Sequence, residues 1–432
     1  MTCEVAVMNK YALVIAADSA VTTSSSNGAE RYSKGGNKIF QLSRDQPVGV
    51  MIYGSAMLDG VPWEIIIKNF RNVLDAVTHT TVQGYATAFF DFVKNADFFF
   101  PQADRDSKLF ERVLRISINL LKEGREEHES IDDATLTIED RASNWKKFLD
   151  EKKAYLESLP LHQEISAGAL PEAIVQMANR MVAYTAFGDY LKEQKIDEIV
   201  IVSDLVEVAC LYFFKLFTEV LGRTGIVFSG FGTEQYFPAV IQYDVYGFVK
   251  NDFLYTKEDH NSCEISHADP SGIFQFAMTS SIDTFTTGVG SDTFSEVNRA
   301  YRKSTKALVD TVLSDCNIKD APGNLDATLK KAADDFSSVW LNKMLAVHYH
   351  PMKKVIASLP IQEMVHLAET LIVLQSLKER ITTHSESVGG PVDIAVITKA
   401  EGLVWIKRKH YFEADRNLPY VMRQRAMYGE KS

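Results

Sequence analysis

A threonine at position 2 is the residue whose place in this chain offers the most chemistry. A residue as small as Thr2 after Met1 is what cytoplasmic methionine aminopeptidases accept, and removal of Met1 would leave Thr2 with a free α-amino group beside its hydroxyl. An α-amine has a pKa near 8, so roughly a fifth of it is neutral at pH ~7.4 and able to take a proton. A nucleophile and a general base would then share one residue.

Three further residues follow Thr2 in a particular order. Asp18 and Gly54 each follow an apolar run that is typical of a buried strand, and Lys38 begins another such strand. Taken singly they are better explained as the cap of a strand end, a solvated lysine at a strand terminus and a turn. The order of all four, with sixteen residues from Thr2 to Asp18, resembles the proteasome β-subunit family and its bacterial relatives HslV and Anbu, which are N-terminal-nucleophile (Ntn) hydrolases.

The resemblance implies a role for each of these residues. The Thr2 hydroxyl would attack a carbonyl carbon while the α-amine takes its proton, directly or through a water. Lys38 would lie close to Thr2 and favour the charge that develops on its oxygen, and Asp18 would hold Lys38 by an ion pair. The Gly54 backbone N–H would point at the developing oxyanion, because a glycine allows close approach of the substrate chain.

A segment near the C-terminus extends the resemblance. It reads Ser-Val-Gly-Gly-Pro-Val-Asp from Ser387 to Asp393 and resembles a Ser-Val-Gly-x-Pro segment of the HslV and Anbu branch. The resemblance therefore implies Ser387 as a fifth site residue. The family places an Asp three residues before this serine, whereas His384 stands there in this chain and Glu386 is the nearest acid. This departure is the best support in the sequence for a non-catalytic alternative.

Three functions are compatible with these residues. The leading one is a cytoplasmic threonine-type peptidase that cleaves peptide bonds through a Thr2 acyl-enzyme. The second is a transpeptidase or ligase, in which an amine rather than water resolves the same acyl-enzyme. The third is a non-catalytic scaffold subunit of a proteasome-like assembly. Relatives form rings or helical stacks, so the resemblance implies a homo-oligomer that acts on peptide or protein substrates.

Composition narrows the class of protein. The chain has 432 residues with 46% hydrophobic and 24% charged content, an ordinary globular mixture. Its net charge of −11 argues against a nucleic-acid or anionic-membrane surface. Its four cysteines are scattered without metal or redox spacing, as is typical of reduced cytoplasmic thiols, and we find no signal peptide. No phosphate-binding loop occurs, so we expect no cofactor and no metal, and any ATPase unfoldase would be a separate protein.

The elements that must position the site predict an α+β protein. Strands are expected at 4–8, 12–17, 38–42 and 48–53, and a closing hairpin at 392–398 and 403–411. Strands are also expected at 226–228 and 239–243, and helices at 294–313, 325–347 and 361–380. With the resemblance, this pattern implies a four-layer αββα sandwich, two antiparallel sheets face to face with helices outside, and an inserted helical region.

The predicted boundaries give three parts. Residues 1–61 form the N-terminal β part with the nucleophile, 62–222 a helical layer plus insertion, and 223–432 the remaining strands, helices and C-terminal hairpin. The stretch 122–153 is strongly charged and of mixed sign, which is typical of a solvated helical face. Within 62–222, deletion of residues 122–153 is therefore expected to be the least costly truncation.

Overall fold

Most of the strands belong to two five-stranded antiparallel sheets. The structure is a computed structural model that describes residues 3–24, 30–133, 135–278, 280–318, 323–382, 389–410 and 412–429. The strands in chain order are β1 Cys3–Asn9, β2 Leu13–Ala17, β3 Val21–Ser24, β4 Glu30–Ser33, β5 Ile39–Gln41, β6 Val48–Gly54, β7 Met57–Leu58, β8 Val61–Pro62, β9 Thr224–Gly230, β10 Ala239–Val249, β11 Asp252–Glu264, β12 Ser271–Ala277, β13 Asp393–Thr398 and β14 Gly402–Lys407.

The first sheet joins the two ends of the chain. Its strand order is β12-β1-β2-β13-β14, and the order of the second sheet is β11-β10-β9-β6-β5. Strand β1 pairs on one side with β12, where Cys3 faces Ala277, and on the other with β2, where Glu4 faces Ala17. Strand β13 pairs with the other edge of β2, where Asp393 lies opposite Ala17. The α+β class is confirmed, and the first two strands of the chain share one sheet with the last two, whereas β5 and β6 lie in the second sheet.

Helices fill the two long intervals between the strands. They are α1 Trp63–Leu74, α2 Val82–Lys94, α3 Gln102–Glu127, α4 Ile138–Ser158, α5 Ala169–Ala183, α6 Thr185–Glu193, α7 Val202–Lys215, α8 Phe217–Val220, α9 Ser280–Thr287, α10 Ser291–Asp315, α11 Leu325–Met344, α12 His350–Ile356, α13 Ile361–Thr382 and α14 Leu418–Gly429. Within the described ranges, none of these helices is both long and apolar enough to cross a membrane.

Alternate residues of β1 belong to different hydrophobic cores. Val5 and Val7 lie in a core with apolar residues of α13, whereas Ala6 and Met8 lie in a core with apolar residues of β6 and β9 in the second sheet. Such a division follows from the period of two in a strand, whose successive side chains point to opposite faces. The other face of the second sheet packs against α1 and α2, through side chains that include Phe228 and Phe89.

Helices α3 to α8 have a core of their own, which corrects one expectation. Their apolar residues pack together and against Val249 and Leu254 of β10 and β11. The charged stretch 122–153 does present a polar side, but Phe148 and other apolar residues of α4 are buried in this core. Net charge alone did not reveal the apolar stripe of α4, so the expectation that deleting 122–153 costs least is wrong: that deletion would remove core residues. The boundaries 1–61, 62–222 and 223–432 stay a prediction.

Truncating Phe148 tests this helical core. Phe148→Ala is expected to lower the free energy of unfolding by about 3–5 kcal/mol, because it removes a buried ring and leaves a cavity. The measurement is denaturant unfolding followed by circular dichroism. Tyr155→Ala on the same helix is the matched control, since Tyr155 is 57% exposed, and its change is expected to be small. Equal stability of the two variants would contradict a shared core.

Candidate active site

The carboxylate of Asp18 is the centre of the candidate site. Asp18 directly follows β2 and is 1% exposed. One oxygen, Oδ1, accepts from the Cys3 backbone N–H at 3.0 Å and from the Lys38 ammonium at 2.5 Å. The other, Oδ2, accepts from the N–H groups of Ala20 at 3.2 Å and Gly389 at 2.9 Å. A single side chain thus binds the start of β1, the approach to β5 and the segment that precedes β13.

Lys38 lies directly before β5 and is held at both ends. Its ammonium pairs with Asp18, and the two side chains are 6% and 1% exposed. Its backbone carbonyl accepts from the Ile52 N–H at 3.0 Å, which fixes the residue against β6. A buried ammonium needs such a partner, because an uncompensated charge in the interior is costly. The ion pair expected between these two residues is therefore present.

Gly54 ends β6 in a conformation that favours glycine. Its φ is +85°, and a Cβ at this position would lie 2.6 Å from the carbonyl oxygen of Arg223, which directly precedes the neighbouring strand β9. A side chain would therefore clash as well as strain the backbone. Gly54 is exposed at the end of β6, where it pairs with Thr224 of β9.

The segment after residue 388 lies against the end of β2. The Ser19 N–H donates to the Gly389 carbonyl at 3.1 Å, and the Ser19 hydroxyl donates to the Pro391 carbonyl. Two of the five predicted site residues, Thr2 and Ser387, lie outside the described residues, as do His384 and Glu386. Cys3, which directly follows Thr2, and Gly389, two residues after Ser387, both donate to Asp18.

Sequence reasoning missed Glu4 as a member of this cluster. Glu4 is fully buried, and neither of its carboxylate oxygens has a hydrogen-bond partner in the described structure. Burial raises the pKa of the Glu4 carboxyl well above its ordinary value; the charge of Lys38 opposes this shift, and that of Asp18 adds to it. The signal was present in the sequence, since an acid stands alone in an otherwise apolar run.

Two other titratable groups near the site are held in their neutral forms. Burial raises the pKa of the Cys3 thiol well above its ordinary value, with the charge of Asp18 acting in the same direction. A thiol in such surroundings is inert. Burial, and then the charge of Asp244, raises the pKa of Tyr53, whose ring stacks on Phe276 at 6.2 Å between centroids. Among the described residues, no group of three or more His, Cys, Asp or Glu could hold a metal ion.

Comparison with known proteins found similarity only among solved structures. No family model and no curated protein matches the chain. One similar structure is an Anbu (Gly-1) mutant from Hyphomicrobium sp. strain MC1, at 12% identity and a TM-score of 0.23, covering 100% of this chain and 97% of that one. Another is Anbu (ancestral beta-subunit) from Yersinia bercovieri, at 10% identity and a TM-score of 0.25, covering 99% and 94%.

Both structures are Anbu proteins, a branch of the family that the sequence resembles. TM-scores of 0.23 and 0.25 are too low to bear on the fold or the function of this chain.

Proposed function

We propose that this chain is a proteasome-type N-terminal threonine hydrolase, which cleaves peptide bonds through a Thr2 acyl-enzyme after removal of Met1. One observation carries the proposal: the Asp18 carboxylate binds the Cys3 amide and the Lys38 ammonium at once. Cys3 is bonded directly to Thr2, so the same carboxylate that fixes the cation also fixes the chain next to the nucleophile. This arrangement supports a charge placed for the chemistry of Thr2.

We further propose that the fold is a four-layer αββα sandwich. Support comes from the three cores around the sheets: one between α13 and the first sheet, one shared by both sheets, and one between the second sheet and α1 and α2. On this proposal 1–61 and 223–432 build the sandwich, and 62–222 adds α1 and α2 as its outer layer and the remaining helices as the insertion.

The proposed reaction proceeds in two steps. The Thr2 hydroxyl oxygen attacks the peptide carbonyl while its proton passes to the α-amine, and that proton then leaves with the departing amine of the substrate. Water attacks the resulting ester and returns free Thr2 and a carboxylic acid. In both steps Lys38 favours negative charge at the Thr2 oxygen, and the Gly54 N–H donates a hydrogen bond to the oxyanion.

Labelling of the N-terminus tests the proposal. Intact-mass spectrometry is expected to show loss of Met1 and, after treatment with a threonine-directed electrophile, one covalent adduct that peptide mapping assigns to Thr2. Thr2→Ser should still be labelled, because serine keeps a hydroxyl beside the amine, whereas Thr2→Ala should not. Retention of Met1 would remove the base and contradict both the hydrolase and the transpeptidase. In protein that has not been treated with the electrophile, transfer of the peptide acyl group to an added amine rather than to water would identify the transpeptidase.

We also propose that copies of the chain associate around peptide or protein substrates. Exposed apolar side chains support this, including Leu308 and Val312 on α10, a helix in which no described residue is fully buried. A separate ATPase would be needed for folded substrates, since the chain carries no phosphate-binding loop. Sedimentation of the purified protein would show whether the copies associate.

A further inference from the structure

The Glu4 carboxyl group is the feature that the proposed reaction leaves unexplained. It is completely buried, and both of its oxygens lack a hydrogen-bond partner among the described residues. Polar groups buried in this way are uncommon in folded proteins, and an unpaired one is a frequent mark of a functional site. Glu4 stands two residues from Thr2 in the chain, so the cost of burying this acid falls beside the proposed nucleophile.

Strand pairing defines which face of the sheet Glu4 belongs to. It lies opposite Phe276 on β12 and Ala17 on β2. Both of these neighbours, together with Ala6 two residues along β1, belong to the core that the two sheets share. The period of two therefore places Glu4 on the same face of the first sheet, toward the second sheet. The Glu4 carboxyl therefore has no exposure to solvent.

The charged and titratable groups around Glu4 come from several elements. Lys38 before β5 and Asp18 after β2 act on it with opposite signs. Tyr53 of β6 feels the charge of Glu4 in turn and is itself held neutral by burial. Farther along the same row of the sheet, beyond Ala17, lies Asp393, which is already paired with the Lys409 ammonium. Among the described residues, no ion pair joins Glu4 to Lys38, so Lys38 acts on Glu4 through the electrostatic field of its charge and not through a direct contact.

We propose that Glu4 is a positioning residue of the site. In its protonated, neutral form it leaves Lys38 able to stabilise negative charge at Thr2, and in its ionised form it weakens that effect of Lys38. This inference rests on the proposed function of Thr2. With Glu4 neutral, Asp18 and Lys38 balance each other and the ammonium can favour charge at Thr2. With Glu4 ionised, Lys38 faces two carboxylates and the cluster carries a net negative charge. That charge would hold a proton on the nearby α-amine and oppose the developing oxyanion.

The coupling is reciprocal. Because Lys38 stabilises the ionised form of Glu4, the ionised form of Glu4 must stabilise the charge on Lys38 by the same free energy. The proton on Glu4 thus controls how strongly Lys38 acts on its other neighbours. Asp18 cannot play this part, because its oxygens are already occupied by four donors.

The pH profile of Thr2 labelling tests this inference. The labelling rate of the wild type should rise as the α-amine loses its proton and then fall by about tenfold per pH unit above the Glu4 titration midpoint. Glu4→Gln, which has nearly the same shape and stays neutral, should lack the falling limb. Glu4→Met is a second variant of similar length, in case the amide disturbs the core. Superimposable profiles for the wild type and both variants would overturn the proposal.

The Glu4 carboxyl carbon supplies a readout that does not require activity. In protein labelled with ¹³C at the glutamate side-chain carboxyl, the signal absent from Glu4→Gln should titrate above 4.5, the ordinary value for glutamate. Its midpoint should rise further in Lys38→Met, where the opposing positive charge is gone. If the wild type is not labelled at any pH, the proposed function fails. The shift of the Glu4 midpoint in Lys38→Met still tests whether Glu4 and Lys38 are coupled. A midpoint that is ordinary, or unmoved in Lys38→Met, would overturn the inference.

The stability of the protein should depend on pH for the same reason. Folding raises the pKa of Glu4, so stability is fully present below the unfolded value and is lost as pH rises toward the folded value. The folding equilibrium constant of Glu4→Gln relative to the wild type should therefore increase by about tenfold per pH unit from roughly pH 5 up to the titration midpoint of Glu4 in the folded protein, and then level off. A constant ratio between pH 5 and pH 8 would show that Glu4 is not held neutral by the fold.

Discussion

Lys38→Ala is expected to reduce covalent labelling of Thr2 by roughly a hundred- to a thousandfold, the size of effect seen when a catalytic site loses one charge-stabilising donor. The ammonium is buried and directed by Asp18, so the substitution removes the positive charge that is paired with this carboxylate. The fold should persist, because the Asp18 carboxylate keeps three backbone N–H donors. The measurement is the second-order rate of adduct formation by intact mass.

The control for this variant is a lysine whose ion pair lies on the surface. Lys68→Ala removes an exposed pair with Glu64 on α1, and its labelling rate should match the wild type. Circular dichroism of both variants separates loss of chemistry from loss of fold. Labelling of Lys38→Ala at the wild-type rate would exclude Lys38 from the site.

Asp18→Ala is expected to lower the free energy of unfolding by about 3–5 kcal/mol and to abolish labelling. The substitution leaves the Lys38 ammonium buried without its partner, a change of that size in other proteins. It also releases the N–H groups of Cys3 and Gly389, so the chain next to Thr2 loses its anchor. Denaturant unfolding measures the first effect and intact mass the second.

Asp252→Ala is the matched control for Asp18→Ala. Asp252 is also largely buried and accepts two hydrogen bonds from Ser166 in the helical insertion. Its removal should cost stability without changing the labelling rate of the molecules that remain folded. If Asp18→Ala were as stable as the wild type and still labelled, the carboxylate would be neither a structural anchor nor part of the site.

The strands around the candidate site were predictable because their patterns are local. Apolar runs that end at Asp18 and Gly54 indicate buried strands, and the structure has β2 and β6 there. The roles of Thr2, Asp18, Lys38, Gly54 and Ser387 remain predictions. The polar strand β11 was not foreseen. After its first three residues, its side chains are partly or fully exposed, and they lack the alternation that marks a half-buried strand.

Long-range hydrogen bonds and burial were beyond reach of the sequence. Nothing in the residues around Gly389 indicates that its N–H donates to a carboxylate 371 residues earlier. Periodicity tells which face of a strand is apolar but not what covers it, so it could not show that Glu4 lies between two sheets. Charge content misled for α4 in the same way, since a helix can carry many charges and still bury one side.

The contact between Asp18 and Gly389 has a consequence for the time at which the proposed enzyme becomes active. At 5–20 residues per second, a ribosome needs roughly 20 to 70 s to pass from one residue to the other. Strand β12, which covers one edge of β1, is also made late in synthesis. The beginning of the chain therefore waits without its final partners, which leaves time for an aminopeptidase to reach Met1. The site around Thr2 would gain its contact with Gly389 only when translation is nearly complete, so a ribosome would not carry a working protease.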